Sequence, residues 1–253
     1  MSSTQVPVGG VQFTVSSMPD AVDALRTATE CRRGVSMRLA NAYCVALATT
    51  DDSYHQLLNN SGVNYPDGTP VAWALRAAGQ SDAHRVRGPS FFTTALAHQE
   101  ADGVRPFFLG SSPSTLAALQ TEVSRKFPAL AIAGAFSPPF APIDSDFIDE
   151  CVSAVEEASA DMVWVGLGTP KQDFLSTVLA ERVGIPAVGV GAAFDFVAGT
   201  VPEAPAFAQK FGLEWAFRFA MEPRRLWKRY TIGNAQFTWA VVRNWRETRA
   251  ATR

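Results

Sequence analysis

Tyr65-Pro66-Asp67-Gly68-Thr69-Pro70 holds one carboxylate in a Pro- and Gly-bounded turn. Asp-Gly beside Pro is ordinary turn chemistry. A carboxylate so placed can also act as a general base, taking a proton from an attacking hydroxyl. Spacing leaves both readings open. Small and polar residues also follow several apolar runs. Asn41 follows VSMRLA, and Gly110-Ser111-Ser112 follows FFL. Gly168, Lys171 and Gln172 follow MVWV, and Gly191 and Asp195 follow PAVGV. If the runs are parallel strands, these residues gather at the carboxyl edge of a sheet, where ligands bind. Free N–H groups at helix starts there suit a phosphate, so the simplest ligand is a nucleotide diphosphate. Taken singly, each Gly is a turn residue. GLGTPK lacks Walker-loop spacing, and GVGAAF has Phe194 where a dinucleotide fingerprint needs its third Gly, which disfavours a nicotinamide dehydrogenase.

The strongest charge feature is GLEWAFRFAMEPRRLWKRY, which packs four Arg, one Lys and five aromatic rings into Gly212–Tyr230. From Gly212 onward there are nine Lys/Arg and three Asp/Glu, a net of +6. The other 211 residues carry a net of −8. An acidic body with a basic tail points to an anionic partner for the tail. Pro223 suits the first turn of a helix. Such a helix places Leu226, Trp227 and Tyr230 on one face, and the pairs Arg224/Lys228 and Arg225/Arg229 on the other. One reading is a solvated basic face on a helix docked by its rings. The other is an interfacial segment with cations toward lipid or diphosphate. Net charge and the lack of a recognisable motif argue against nucleic acid.

Asp144-Ser145-Asp146 resembles a metal-binding DxD, but it opens an amphipathic stretch where capping and the helix dipole account for it. His55, His84 and His98 lack ligand spacing. Cys31, Cys44 and Cys151 are odd in number and far apart, so neither a disulfide framework nor a zinc site is expected and a reducing cytosol is the simpler setting. No signal peptide is expected at the N-terminus, and no apolar run is long enough for a spanning helix.

These groups need a scaffold. GVQFTV, the first half of VSMRLANAYCVALA, RPFFLG, LAIAGAF, DMVWVGLG and PAVGVGAAF read as strands. PDAVDALRTATECRR, DDSYHQLLNN, SSPSTLAALQTEVSRKF, IDSDFIDECVSAVEEAS and PKQDFLSTVLAERV read as helices. The alternation predicts an α/β fold: a Rossmann-like, mostly parallel sheet flanked by helices, with a helical basic C-terminal appendage. The expected division is 1–211 for the α/β body and 212–253 for the appendage. A break in the Pro-rich FSPPFAPIDS is the alternative.

In order and spacing, LANAYCVALA, YPDGTPVAWALR, HRVRGPSFF, FFLGSS, VGLGTPKQDF, GVGAAFDFVAG and the tail segment resemble the WecG/TagA/CpsF glycosyltransferases, from about Val11 to Tyr230. The resemblance implies inverting, metal-independent transfer of a sugar from a UDP-sugar to a polyprenyl-diphosphate-linked saccharide at the inner face of the cytoplasmic membrane. It implies N-acetylmannosamine, its uronic acid or a glucose-type sugar as donor, in cell-envelope polysaccharide or teichoic-acid-type assembly. No cofactor is implied, and a homo-oligomer stays open. Asp67 matches the family's base, and Asn41 and Gln172 match polar residues near the reacting sugars. Arg85 matches an active-site arginine. Gly110, Ser111, Gly168, Lys171, Gly191 and Asp195 are expected to bind the donor. Arg218, Arg224, Arg225 and Arg229 fall where the family's arginines grip the lipid diphosphate. Leu39 replaces the Thr of many relatives, and Asp173-Phe174 replaces Glu-Trp, so donor identity is not carried over. A different class remains: a non-catalytic UDP-sugar sensor or membrane scaffold.

Overall fold

The computed structural model describes residues 4–210 and 212–251, apart from the side chains at 206, 210, 225 and 248–251. The chain opens with an antiparallel hairpin, β1 (Gln5–Val8) and β2 (Val11–Thr14). Next come α1 (Met18–Glu30), β3 (Ser36–Ala40), α2 (Ala42–Ala48), α3 (Asp52–Asn60), β4 (Val63–Pro66), α4 (Thr69–Ala77) and α5 (Gly88–Asp102). Strict alternation follows: β5 (Pro106–Gly110), α6 (Pro113–Lys126), β6 (Gly134–Phe136), α7 (Ser145–Glu157), β7 (Met162–Gly166), α8 (Lys171–Val183) and β8 (Ala187–Gly189). The short α9 (Ala193–Val197) and α10 (Ala206–Lys210) lead to α11 (Glu214–Met221) and α12 (Pro223–Ala251).

The main sheet has the order β4-β3-β8-β7-β5-β6, and every pair in it is parallel. This is the expected α/β architecture. Strands from both sides of FSPPFAPIDS pair in this one sheet, so that stretch is a connection between β6 and α7. GVQFTV forms a strand, but in the separate hairpin. Only Gly134–Phe136 of LAIAGAF and Ala187–Gly189 of PAVGVGAAF are extended. The rest of the second run turns into α9, because Gly191 takes φ +52 and reverses the chain.

Local sequence explains the helix starts. Ser17 accepts from the Asp20 N–H while Asp20 receives the Ser17 N–H, a capping box with Pro19 in the first turn. Ser112 caps α6 by accepting from the Thr115 N–H at 3.1 Å. Asp144 caps α7 by accepting from the Phe147 N–H at 2.9 Å, as the capping reading of the DSD stretch anticipates.

Both sheet faces are covered, as a parallel sheet requires. Phe108 and Trp164 point into one core with Phe91, Phe92 and Phe194; Phe107, Leu109, Val163 and Val165 point into the other. Trp164 is fully buried, meets Phe92 edge-on at 4.9 Å, and donates to Gln99 Oε1. Burial of each such ring contributes about 1.5–3 kcal/mol. A third cluster joins the hairpin and α2–α4 to Phe237 and Ala240 of α12. The basic tail is therefore docked on the body through its apolar face.

Candidate active site

The carboxyl ends of β3 and β4 and the tail enclose a cavity of about 380 Å³. Asn41 and Asp67 come from the strand ends, and α11 and α12 close the opposite side. Asn41 follows β3 and caps α2, its Oδ1 accepting from the Tyr43 N–H at 2.9 Å. Asp67 follows β4, and its N–H donates to Ala40 O at 2.9 Å, extending the β3–β4 ladder by one bond. This ladder brings two carboxyl-edge residues far apart in sequence to one wall, as the parallel sheet predicts.

Arg85 and Arg87 form the adjoining wall. Val86 between them is buried, and its N–H donates to Pro66 O at 2.8 Å. Alternation along extended chain then turns both guanidinium groups to one side. Arg85 Nε lies 3.7 Å from Asp67 Oδ1, and Arg85 Nη2 donates to Glu214 Oε2. Arg87 Nε donates to Glu214 Oε1 at 2.5 Å, and its Nη2 donates to Glu203. A chain of charge thus runs Asp67–Arg85–Glu214–Arg87–Glu203. Burial pushes the Asp67 carboxyl above the ordinary carboxylate range, Arg85 opposes this, and Glu214 adds to it. A partly buried carboxylate with raised basicity has the character a general base needs. Arg87, Glu203 and Glu214 escaped the sequence reading. The signal for Glu214 was an acid at the head of a basic segment.

From the tail, Arg218 and Arg229 line the cavity, with Trp215 and Tyr230. The Arg218 guanidinium sits 5.5 Å from the Phe196 ring centre. Arg229 turns inward over Tyr43, so it leaves the solvated face expected for it. Arg224 is exposed and does not line the cavity. The Arg225 side chain lies outside the described residues. Leu226 is buried and Tyr230 partly buried, whereas Trp227 is 46% exposed and departs from the docked face. α11 enters by close approach at Gly212, where φ is +71 and a Cβ would stand 2.4 Å from Thr69 Oγ1.

The remaining expected donor residues do not line this cavity. Gly110 lies against Gly166, and a Cβ there would stand 2.7 Å from the Gly166 backbone. The Ser111 N–H donates to Gly166 O at 2.9 Å. Gln172 is buried and accepts the Gly168 N–H at 3.0 Å; its amide also packs against Gly191. Lys171 donates to Ala141 O and lies 3.9 Å from the Phe147 ring centre. Asp195 lies in the first turn of α9, and its carbonyl accepts from the Thr200 N–H. Gly110, Ser111, Gly168 and Gly191 gather at the carboxyl ends of β5, β7 and β8, beside the cavity-forming pair β3 and β4. Among the described residues, no three His, Cys, Asp or Glu side chains converge as a metal site.

The sequence model of the Glycosyl transferase WecG/TagA/CpsF family matches residues 6–251. The chain belongs to this family. A similar protein of Bacillus spizizenii, an N-acetylglucosaminyldiphosphoundecaprenol N-acetyl-beta-D-mannosaminyltransferase, is 30% identical over 227 residues, covering 88% of this chain and 85% of the relative. Proteins of the same name from two Staphylococcus aureus strains, MW2 and NCTC 8325, are 27% and 26% identical over 229 residues, 89% of this chain and 88% of each relative. Within this WecG/TagA/CpsF member, Leu39 and Asp173, where the resemblance leads one to expect Thr and Glu, are buried, and Phe174 is partly buried. Leu39 is buried in the core with Phe91 and Val190. Asp173 is buried and accepts from the Tyr54 hydroxyl at 2.7 Å, and Phe174 packs on the Tyr54 ring.

Proposed function

We propose that this glycosyltransferase moves a sugar, with inversion, from a UDP-sugar to a polyprenyl-diphosphate-linked saccharide in cell-envelope polymer assembly. The observation that carries this reading is Asp67 in a cavity whose walls also present Arg85, Arg87, Arg218 and Arg229. In a single in-line displacement, Asp67 takes the proton of the acceptor hydroxyl as its oxygen forms the bond to the anomeric carbon. The bond to the UDP oxygen breaks, and UDP leaves with that electron pair. N–H groups at the carboxyl edge and cationic side chains offset its charge without a metal. Arg218 and Arg229 are suited to the acceptor diphosphate, as paired cations suit phosphate oxygens. The names of the relatives make N-acetylmannosamine the first donor to try.

The tail also carries the proposed membrane contact. Among the described residues, no helix is long and apolar enough to cross a membrane. Trp227, Trp239 and Trp245 are roughly half exposed on α12, interspersed with Lys228, Arg243 and Arg246. Aromatic rings among cations suit a peripheral site on the inner face of the cytoplasmic membrane.

The test is incubation with a panel of UDP-sugars and a prenyl-diphosphate-N-acetylglucosamine acceptor, read by mass spectrometry, with and without EDTA. UDP release and a lengthened acceptor only when both substrates are present, unchanged by EDTA, is the expected result. Binding without turnover would instead make the protein a UDP-sugar sensor. Loss in EDTA restored by Mn²⁺ would overturn metal independence.

A further inference from the structure

Glu214 stands out among the groups around Asp67 because it comes from the tail yet, among the described residues, its carboxylate bonds to two arginines of the body. Its two carboxylate oxygens receive Arg85 Nη2 and Arg87 Nε. Arg85 Nε meanwhile is buried without a hydrogen-bond partner, 3.7 Å from Asp67 Oδ1. A hydrogen bond needs about 2.7–3.2 Å, so a shift of roughly 1 Å would make one. Glu214 draws the guanidinium the other way. We propose that Glu214 is a positioning residue that holds Arg85 off Asp67, so that Asp67 is a strong base only while α11 is docked on the cavity.

The physical reason is competition between two carboxylates for one guanidinium. An arginine bonded directly to Asp67 would favour its ionised form and weaken it as a proton acceptor. With Glu214 holding the fork, Arg85 remains near enough to orient the base without quenching it. Arg87 fixes Glu214 from the other side, and Glu203 fixes Arg87. The other charged groups at the cavity are Arg218 of α11 and Arg229 of α12; Tyr43 and Tyr230 are its further titratable side chains. None of these four is hydrogen-bonded to Asp67. The inference makes tail docking a condition of base strength, beyond any grip of the tail on substrate. It rests on the proposed role of Asp67 as base.

The experiment is a pH titration of the Asp67 carboxyl carbon by NMR in the full chain, assigned through Asp67→Asn. Glu214→Gln should lower the midpoint by on the order of 1 unit. In an Arg85→Gln background the same substitution should have little effect, as a double-mutant cycle would show. An unmoved midpoint overturns the proposal. So does an equal drop without Arg85, which would mean direct repulsion between the carboxylates. If Glu214→Gln does not fold, Glu214→Asp withdraws the carboxylate by one methylene and must still lower the midpoint; no movement overturns the proposal. The titration needs no substrate, so it is independent of the transferase reading. In turnover, Glu214→Gln should lower kcat more than it changes KM for the UDP-sugar. A wild-type protein inactive on the whole panel but titrating as stated would sink the transferase reading alone.

Discussion

Arg229, on the last helix, donates to Asn41 Oδ1 at 3.4 Å, and its guanidinium lies 4.5 Å from the Tyr43 ring centre. Two residues 188 positions apart thus meet where the strand-end side of the cavity joins the tail. The contact joins the end of β3 to the basic tail, and with Glu214 it makes the tail part of the site.

Arg229→Ala should therefore raise KM for the lipid-linked acceptor by about tenfold or more, the scale of one charge-assisted hydrogen bond. The fold should persist, because Asn41 still receives the Tyr43 N–H. Steady-state kinetics with varied acceptor, alongside Arg229→Lys, checks this. An unchanged acceptor KM would take Arg229 out of the diphosphate site.

Asp67→Asn should cost on the order of 10²-fold or more in kcat/KM, the typical share of a positioned base. The wild-type pH profile carries a second expectation. Burial raises the Asp67 carboxyl, so protonation sets in at a higher pH than for an ordinary carboxylate, near 3.9. A base works only ionised, so kcat/KM should fall as pH drops through that raised value. An acid limb at or below the ordinary value would contradict the burial argument.

Trp239→Ser with Trp245→Ser should weaken sedimentation with anionic phospholipid vesicles by on the order of tenfold, since both rings are exposed on α12 and binding scales with buried apolar area. Added salt should weaken the wild type further. These positions lie outside the cavity lining, so turnover on a short-chain soluble acceptor should not change. Equal sedimentation of the variant would move the membrane contact elsewhere.

Tyr54→Phe should lower stability by about 1–3 kcal/mol, because the buried Asp173 carboxylate loses its hydroxyl donor. Burial raises the Asp173 carboxyl, while Tyr54 and Arg38 oppose the rise. A raised native value means that the folded state holds more protons, so stability from this group falls as pH climbs above the ordinary carboxylate range. Removing the hydroxyl raises the native value further. The deficit should therefore be larger at pH 7 than at about pH 4, measured by urea unfolding at both. A deficit independent of pH would mean that lost packing, not the carboxylate, is responsible.

The alternation of strands and helices, the helix starts at Pro19, Ser112, Asp144 and Pro223, and the charge split between body and tail were legible along the chain. Each depends on neighbours a few residues apart, through pleat, helical turn or a side-chain cap. Asp67, Asn41 and Arg85 were legible too, because their motifs keep order and spacing. The grouping of Arg85 with Arg87 and Glu214 was not. Glu214 lies 129 positions after Arg85, and its place follows from how α11 meets Thr69 at Gly212 and how α12 packs through Leu226, Phe237 and Ala240. That docking is a sum of many apolar contacts, with no short pattern to announce it. The same sum turned Arg229 into the cavity and left Trp227 and Arg224 outside, although helical periodicity had grouped them otherwise. Periodicity says which residues share a face; only the neighbouring elements decide whether that face meets solvent, core or substrate.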